Sequence, residues 1–522
     1  QAIRQMANGK APGPDGLGAE FYKEFENLIA QDMLKMVHEA MEDGAYHVDV
    51  RTGHIIVIYK KEDTREVRNY RPITLLQLDY KIVSKIMVAR LKDVMDEIVS
   101  SAQLGFVPER RITEATHMLK LVQALADEED GEGIVVAADW EKAFDRVSWE
   151  YLHEAVEALG FGPEFQNWIG VMYNEYAKPV RHVKANGIVG DRFEIGSGTP
   201  QGCPASPLIF LLVAEALTRA IEEDTKIKGY KSTSGVQVKL SQFADDTQFL
   251  LRGYQELKRM WNHIEDYESA TGMKANKKKF EGFRLGATKR TPVPLNKFTR
   301  DIRFVEKGKY AKILGIPFGE DLDIVPFLEK KYADMKCIIA AWKDHGRIST
   351  FGRVMLANSM IFSRFRYYAQ CEVFPKELED AIVEDAQALV WGRDVEFDST
   401  EIGTQMRLDP STSKLGRTPF RRFMRDKAQY GNRKKELGIG LLHWPNHVKS
   451  LQANWILRYR DATLGEWKLL LDEWFARGVM ERGTPFTTTP EAELTKSTTQ
   501  RQGAMPAFWK AALRAIRIVP MT

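Results

Sequence analysis

At 522 residues the chain is too long for one hydrophobic core, so we expect it to divide into two or three domains. Its 44% apolar and 28% charged residues are ordinary for a soluble protein, and because no run of about 18 apolar residues occurs, a membrane-spanning helix is excluded. The net charge of +3 says little by itself about nucleic acid, so the placement of charge clusters is the informative feature.

The cysteines and the start of the chain bear on its setting. Cys203, Cys337 and Cys371 are scattered and form no C-x-x-C pair, so we expect neither zinc nor disulfides, and a reducing, intracellular setting fits. No secretory signal is present. Because the chain starts at Gln1 in mid-pattern, we expect it to be a piece of a longer, polyprotein-like product.

The N-terminal part is predicted to contain a turn, a helix and a strand. Residues 10–16 are rich in Gly and Pro, which predicts a turn. Apolar residues then recur at helical steps of three and four: Phe21, Phe25, Leu28 and Ile29. Residues 53–61 predict a strand that ends in Lys60 and Lys61, and Arg71 follows a polar loop.

The next segment, residues 79–125, is predicted to be helical with a break at residues 105–108. One apolar pattern includes Ile82, Ile86 and Leu91. Arg110 and Arg111 follow the break, and surface charge and contact with a nucleic-acid backbone are equally compatible with them.

A short apolar run at residues 134–138 ends in Asp139, which predicts a buried strand that delivers a carboxylate at its end. Ser148 is predicted to begin a helix that Gly160 ends. Farther on, a Gly/Pro-rich loop contains Gln201 and leads into a predicted buried helix.

The sequence Phe-Ala-Asp-Asp at residues 243–246 lies between two predicted strands. Apolar and polar residues alternate at 236–241 and residues 247–251 predict a second strand, so we expect a hairpin with Asp245 and Asp246 at or near its turn. Adjacent carboxylates repel each other, so both stay ionised only if a cation binds them, and oxygen-only ligands suit magnesium. For an isolated pair, ordinary turn chemistry would be the simpler interpretation.

Residues 257–279 predict a helix followed by a basic run that includes Lys274 and Lys279. Beyond about residue 325 the pattern is helical, and residues 348–353 predict the start of a helix.

Three compositional features mark the C-terminal region. Residues 396–419 are polar and turn-rich, which predicts a linker, and residues 480–504 are Thr-rich, which is typical of poor order. A cluster of cations with interleaved aromatic residues lies between them: Arg417, Phe420, Arg421, Arg422, Phe423, Arg425, Lys427, Tyr430, Arg433, Lys434 and Lys435. This cluster suits single-stranded or structured RNA, and a basic solvated loop is the alternative.

The order and spacing of these motifs resemble the palm of a reverse transcriptase of the non-LTR (LINE-type) retrotransposon kind. The stretches that carry the resemblance are residues 134–145, 198–207, 243–246 and 312–317, with 10–16, 69–76 and 103–106 extending it. The resemblance is dense over about residues 5–320 and thin beyond them.

The resemblance implies an α+β, right-hand polymerase fold. We expect fingers and a palm with a short antiparallel sheet in residues 1–325, and a helical thumb in residues 326–400. A basic, mainly helical C-terminal extension would occupy residues 401–522.

The implied activity is RNA-directed DNA synthesis from dNTPs by a two-metal mechanism. Asp139 and Asp245 would share two Mg²⁺ ions roughly 3.5–4 Å apart, with Asp246 as a supporting ligand and Mn²⁺ as a possible substitute. The implied partners are an RNA template and a DNA primer, the latter being a nicked chromosomal 3′ end in the family. Residues 312–317 would form the primer grip.

The resemblance also implies residues that bind the incoming nucleotide. Lys60 and Arg71 would hold the triphosphate, with Lys61 as a substitute for Lys60. Phe144 would abut the sugar 2′ position and exclude ribonucleotides, and a core Phe is the alternative.

The remaining implied roles belong to a loop and a lysine. Gln201 and Gly202 would lie near the sugar and base of the dNTP, where Gly permits close backbone approach. Lys279 would protonate the pyrophosphate leaving group, with Lys274 as its rival.

Two alternative functions remain at this point. A group II intron-type reverse transcriptase and splicing factor would have similar palm motifs, and a catalytically decayed copy would act only as an RNA-binding scaffold. A viral RNA-dependent RNA polymerase is disfavoured, because Phe144 would oppose NTPs and Ala244 replaces the usual Gly. In a eukaryote we expect the nucleus, with a cytoplasmic ribonucleoprotein stage. The oligomeric state is open.

Overall fold

The computed structural model describes residues 1–233, 235–343, 348–391, 440–461, 465–479 and 505–516. Two compact units divide the chain, the first being Gln1–Ala115 with Glu129–Phe304 and the second Thr116–Glu128 with Val305–Thr522. The predicted boundaries near residues 325 and 400 separate fingers and palm, thumb and C-terminal extension. They do not coincide with these compact units, and they stay predictions.

Helices make up most of the regular structure. They are α1 (Ala19–Glu24), α2 (Glu26–Asp43), α3 (Leu78–Ile98), α4 (Ile112–Glu129), α5 (Ala143–Arg146), α6 (Trp149–Ala158), α7 (Pro163–Met172), α8 (Ser206–Glu223), α9 (Leu257–Thr271), α10 (Val325–Lys343), α11 (Thr350–Leu356), α12 (Ser363–Ala369), α13 (Lys376–Trp391), α14 (Trp444–Arg460), α15 (Glu466–Val479) and α16 (Ala507–Ile516).

The strands are short. They are β1 (Thr52–Tyr59), β2 (Tyr70–Leu76), β3 (Glu132–Ala138), β4 (Val180–Ala185), β5 (Ile188–Glu194), β6 (Tyr230–Lys231), β7 (Gln237–Val238), β8 (Leu240–Phe243), β9 (Asp246–Leu251), β10 (Glu281–Gly286), β11 (Arg303–Phe304), β12 (Ala311–Ile313) and β13 (Ile316–Phe318). Because short, mainly antiparallel sheets combine with many helices, the α+β prediction is confirmed.

A five-stranded sheet of order β11-β10-β3-β9-β8 forms the centre of the first unit. β3 lies between β10 and β9 and pairs antiparallel with both. Its residues Ile134, Val135 and Val136 are all fully buried, so both faces of the strand are covered. That double burial explains why β3 is a continuous apolar run in the sequence instead of an alternating pattern.

The predicted hairpin around the Asp pair is confirmed. β8 and β9 pair antiparallel, with Phe243 opposite Asp246, so Ala244 and Asp245 form a two-residue turn. Ala244 has φ +56°, the left-handed conformation that tight hairpin turns require. The first predicted strand is divided in two, because β7 pairs with β6 and only β8 joins the large sheet.

A second, four-stranded sheet has the order β2-β1-β4-β5. β1 pairs antiparallel with β2 and parallel with β4. The β4–β5 hairpin was not predicted. β5 is exposed along its whole length, so its sequence lacks the buried alternation by which a strand is recognised.

Several predicted helix starts and stops are confirmed. The Ser148 hydroxyl accepts a hydrogen bond from the Tyr151 N–H at the start of α6, and Gly160, just after that helix, has φ +80°. The Ser349 hydroxyl caps α11 in the same way through the Gly352 N–H.

The apolar pattern near the N-terminus predicts a helix correctly, but of its four residues only Ile29 packs against a buried cluster. Phe21, Phe25 and Leu28 are exposed, whereas Ala19 and Tyr22 make the buried contacts. The helix is interrupted at Phe25, between α1 and α2, and this break changes which side chains face the core. Farther on, Ile86 is likewise exposed although its pattern partners Ile82 and Leu91 are buried.

The second unit contains the hairpin predicted for residues 312–317. β12 and β13 pair through a turn at Leu314 and Gly315, both with positive φ, and the Tyr367 hydroxyl donates to the Leu314 carbonyl at 2.7 Å. Helices follow it as predicted, and their core includes the fully buried Trp444.

The described residues of the C-terminal extension are helical, which confirms that prediction for α14, α15 and α16. The predicted linker at 396–419, the cation cluster between Arg417 and Lys435, and the Thr-rich stretch at 480–504 lie outside the described residues. Across the part of the chain that the structure covers, every helix falls short of the length or hydropathy that a bilayer crossing needs.

Candidate active site

Three carboxylates lie near one another at the ends of two neighbouring strands of the five-stranded sheet. Asp139 follows the last residue of β3, Asp246 is the first residue of β9, and Asp245 lies in the turn before it. β3 and β9 are antiparallel neighbours with Ala138 opposite Thr247, so the ends that carry the carboxylates leave the sheet side by side. The sheet therefore brings Asp139 together with an Asp pair that lies more than 100 residues later in the sequence.

The electrostatics of the cluster confirm that these carboxylates act on one another. Burial and then the neighbouring carboxylates of Asp245 and Asp139 raise the pKa of Asp246 to about 6. Burial, followed by the charge of Asp139, also raises the pKa of Asp245. Asp246 is exposed as a residue, so repulsion between the carboxylates outweighs burial as the cause of its raised pKa.

A lysine approaches the cluster from a neighbouring loop. The Lys279 Nζ lies 2.8 Å from the Asp139 Oδ2. The backbone beside Asp139 fixes this approach, because the Asn276 N–H donates to the Asp139 carbonyl and the Glu141 N–H donates to the Lys274 carbonyl, both at 2.7 Å. Lys274, the rival for the predicted role, is held here through its backbone.

The chemical nature of the three side chains suits a divalent cation. All three side chains offer oxygen ligands, and a cation would relieve the repulsion that raises two of their pKa values. The side chains are not arranged around an ion, since among the described residues no three acidic, imidazole or thiol groups are close enough to hold one. Asp139 and Asp245 are the residues that could hold a metal, with Asp246 beside them.

Two predicted phosphate-binding cations lie on the four-stranded sheet. Lys60 directly follows β1, and Arg71 lies on β2 opposite Ile58. Both cations lower the pKa of Asp245, so their charges reach the carboxylates. Lys61, the predicted substitute for Lys60, pairs instead with Glu62 at 3.0 Å.

The loop with Gln201 and Gly202 joins this sheet. The Thr74 N–H on β2 donates to the Gln201 carbonyl at 2.7 Å. Gly202 has φ +130°, and a Cβ there would lie 2.3 Å from the Thr74 carbonyl oxygen, so this close approach requires glycine. The Gln201 side chain donates to the Asp145 carboxylate at 3.5 Å, so the two residues contact each other.

Phe144 is held rigidly beside the same loop. Its ring stacks on Phe210 with centroids 4.4 Å apart and planes 26° apart, and its carbonyl accepts from the Thr199 N–H at 2.7 Å. The residue is half-buried, so one part of the ring is in the core while another remains accessible. Its predicted part in sugar selection stays a prediction.

Comparison with known proteins decides the family. The model of the family described as reverse transcriptase (RNA-dependent DNA polymerase) matches residues 58–318, half of the chain. The chain belongs to the reverse transcriptase family. After the subdomains predicted for residues 1–325, we refer to the five-stranded sheet as the palm sheet and to the four-stranded sheet as the fingers sheet.

The relatives of this reverse transcriptase include several retrotransposon proteins. The Transposon TX1 uncharacterized 149 kDa protein of Xenopus laevis is 30% identical over 377 residues, which are 71% of this chain and 28% of that protein. The Pol polyprotein from the type-2 retrotransposable element R2DM of Drosophila melanogaster is 23% identical over 272 residues, covering 52% of this chain and 25% of that one. The non-LTR (LINE-type) resemblance is thereby confirmed, and the chain spans about a quarter of the length of these relatives.

A solved structure also aligns with this reverse transcriptase. Apo telomerase from Candida Tropicalis gives a TM-score of 0.40 at 10% identity, covering 75% of this chain and 72% of that chain.

One residue of the reverse transcriptase site was missed in the sequence. Gln103 is buried, and its side-chain oxygen accepts from the Ala244 N–H in the Asp-Asp turn at 2.8 Å. The only signal was that Gln103 belongs to a motif shared with the family, and that motif carries no indication of a role.

Neither interpretation of Arg110 was right. Its side chain is 13% exposed and pairs with Asp96 at 2.7 Å, while it donates to the carbonyls of Val99 and Gln103 at 3.1 and 2.8 Å. Arg110 therefore caps the end of α3 and supports the segment that carries Gln103, instead of lying free for a nucleic-acid backbone. Arg111 is exposed, so surface charge and backbone contact both remain compatible with it.

Proposed function

We propose that this chain is the polymerase part of a larger retrotransposon protein, and that it copies RNA into DNA from dNTPs. The observation that carries the proposal is the group of Asp139, Asp245 and Asp246 at one sheet edge, within electrostatic reach of Lys60, Arg71 and Lys279. Phosphoryl transfer needs this combination of metal-binding carboxylates and cations, because negative charge spreads over the phosphate oxygens in the transition state.

The carboxylates would hold two Mg²⁺ ions, for which Mn²⁺ is a possible substitute. When bound, the metal would activate the primer 3′ hydroxyl and stabilise charge on the phosphate oxygens. Asp139 and Asp245 are the proposed ligands, and Asp246 supports them. The strands behind these residues are buried, so the carboxylates keep fixed positions while substrates come and go.

The nucleotide would be held from the fingers side. Arg71 offers a bidentate fork to the triphosphate, and Lys60 adds a point charge. Gln201 and Gly202 would face the sugar and base, and the backbone bond to Thr74 ties their loop to the strand that carries Arg71.

Lys279 would donate a proton to the departing pyrophosphate. It is the cation closest to the cluster through its contact with Asp139, and a protonated amine at this point can neutralise a leaving oxygen. We propose it over Lys274 because the Lys279 Nζ itself reaches the carboxylate.

The proposed partners are an RNA template and a DNA primer, with nicked target DNA as the primer in target-primed synthesis. The retrotransposon names of the relatives favour this role over a group II intron splicing factor. The joint presence of three carboxylates and their cations argues against a decayed scaffold. If the source is a eukaryote, the proposed location is the nucleus, with a cytoplasmic ribonucleoprotein stage.

Discrimination between dNTPs and NTPs tests the proposed role of a single residue, Phe144. The chain is expected to extend a DNA primer on an RNA template with dNTPs and to discriminate against NTPs. In Phe144→Ala the discrimination should fall at least about tenfold, because space opens beside the 2′ position.

The matched control is Phe161→Ala. Phe161 stacks on Phe165 with the same 4.4 Å centroid distance, so the control loses an equivalent ring contact away from the proposed site. Equal discrimination in both variants would contradict the proposed position of the nucleotide. A parent chain that extends better with NTPs than with dNTPs would contradict the proposed function itself.

A further inference from the structure

A buried hydrogen-bond network lies directly behind the three carboxylates. Its members are Gln103, Gln242, Thr247 and Trp140, whose exposed fractions are 1%, 2%, 1% and 6%. Trp140 follows Asp139 in sequence, and Thr247 follows Asp246. The network therefore contacts both chain segments that carry the proposed metal ligands.

Thr247 is the centre of the network. Its hydroxyl accepts from the Trp140 Nε1–H and from the Gln242 side-chain amide, each at 3.3 Å. The same hydroxyl donates to the Asp245 carbonyl at 3.4 Å. One oxygen thus links the segment after Asp139 to the turn that carries Asp245.

Gln103 holds the turn from the other side. Its Oε1 accepts from the Ala244 N–H, and its Nε2 donates to the Ala244 carbonyl at 3.3 Å and to the Gln242 Oε1 at 3.4 Å. Both backbone groups of one turn residue are therefore fixed by one side chain. The fit is close, since a Cβ at Gly105 would lie 2.5 Å from the Ala244 nitrogen.

The segment with Gln103 also covers the edge of the palm sheet. The Leu104 N–H donates to the Gln242 carbonyl and the Gln242 N–H donates to the Ala102 carbonyl, both at 2.7 Å. Edge strands otherwise leave such groups unpaired. The network is thus anchored in backbone pairing as well as in side chains.

We propose that Gln103 and Thr247 are positioning residues, which set the distance between Asp139 and the Asp245–Asp246 turn and thereby the metal affinity of the site. The proposal rests on the proposed polymerase function. The physical reason is that ligand carboxylates lose affinity and rate when the groups behind them no longer fix their positions.

Thr247→Val and Thr288→Val are the variants for the test. Valine keeps the shape of threonine and removes the hydroxyl. Thr288 is a matched control, because it too is buried and its hydroxyl accepts from the Gly133 N–H at the opposite end of β3, at 3.0 Å. Each variant loses a buried hydroxyl, that of Thr247 on β9 and that of Thr288 in the short helix that contacts β3, and only Thr247 contacts the carboxylate segments.

We expect Thr247→Val to lower kcat for single-nucleotide addition about 10- to 100-fold, with the KM for dNTP and the Kd for primer–template changed less than about twofold. Its affinity for Mn²⁺, measured by electron paramagnetic resonance with primer–template present, should fall about tenfold. Thr288→Val should lower the unfolding temperature similarly and retain the parent's kcat and Mn²⁺ affinity.

Gln103→Met is the second variant, because it removes the turn contacts from the other side without touching Thr247. It should reproduce the loss of kcat and Mn²⁺ affinity. If neither variant differs from Thr288→Val in these two quantities, the proposal is overturned. The Mn²⁺ comparison does not require extension, so a parent that fails to extend would contradict the proposed function while the positioning roles are still decided.

Discussion

The palm sheet and the fingers sheet of the first unit bury their strands to very different extents. Ile134, Val135 and Val136 in the central palm strand are all fully buried, whereas every residue of β5 in the fingers sheet is exposed. The carboxylates stand on the first sheet and the proposed phosphate-binding cations on the second. The groups proposed to hold a metal are thus fixed by packing, while the groups proposed to bind the triphosphate lie on a surface.

The first prediction concerns stability and tests whether the palm sheet is more tightly packed than the fingers sheet. Phe249→Ala on β9 removes a fully buried ring that pairs across the sheet with Val136, and we expect it to lower the free energy of unfolding by about 3–5 kcal/mol. Ile188→Ala on β5 is the matched change on the fingers sheet, where the side chain is 74% exposed. It should change the stability by less than about 0.5 kcal/mol. Urea denaturation measures both, and similar losses would mean that the two sheets do not differ as described.

The next prediction tests the proposed phosphate-binding cations on the fingers sheet. Arg71→Ala should raise the KM for dNTP about 10- to 100-fold, because it removes charge-assisted bonds to phosphate, and should leave the unfolding temperature unchanged. Arg71→Lys should recover part of the loss, since it keeps the charge without the fork. Steady-state kinetics of single-nucleotide addition measures the change.

Arg65→Ala supplies the control for Arg71. Arg65 lies on the loop between β1 and β2, is highly exposed, and pairs with Asp63 at 2.7 Å. It should leave the KM within about twofold of the parent. If Arg65→Ala and Arg71→Ala raise the KM alike, the effect is one of general surface charge and Arg71 has no specific role.

A smaller effect concerns pH. The pKa of Asp246 is raised to about 6 from an ordinary value of 3.8, so between these values the folded state binds more protons than the unfolded state. The metal-free chain should therefore lose stability from this group as pH rises from about 4 to about 6, by on the order of 1 kcal/mol after solvent screening. Asp246→Asn removes the group and should be stabilised relative to the parent at pH 7 but not at pH 4.

Urea midpoints in EDTA at the two pH values measure this difference. Saturating Mg²⁺ should abolish it, because the bound cation stabilises the ionised carboxylate. If the stability difference between the variant and the parent is the same at both pH values, the other carboxylates do not raise the pKa of Asp246.

The sequence was sufficient where a local pattern dictates structure. The hairpin at Asp245 follows from alternation on one side and a second predicted strand on the other, and the starts of α6 and α11 follow from serine caps. The site could be anticipated only because the motif order resembles a known family. Asp139 and Asp246 meet through strand pairing across more than 100 residues, which no local pattern contains.

The same reasoning failed where tertiary contacts override local preference. Arg110 is a charged residue and would be expected on the surface. Its side chain instead donates hydrogen bonds to carbonyls at the end of α3, which hold it against the protein. Phe21 and Leu28 have helical spacing, yet the break at Phe25 leaves them exposed. Gln103 is recognisable as functional only when its contact with the turn is seen.

Primer extension with the double variant Asp245→Ala/Asp246→Ala tests the central claim most directly. A DNA primer annealed to an RNA template, dNTPs and Mg²⁺ would be supplied to the parent and to the variant, and template–primer binding would be measured for both. We expect extension by the parent, none by the variant, and equal binding. Extension by the variant at the parent's rate, or binding without extension by either protein, would contradict it.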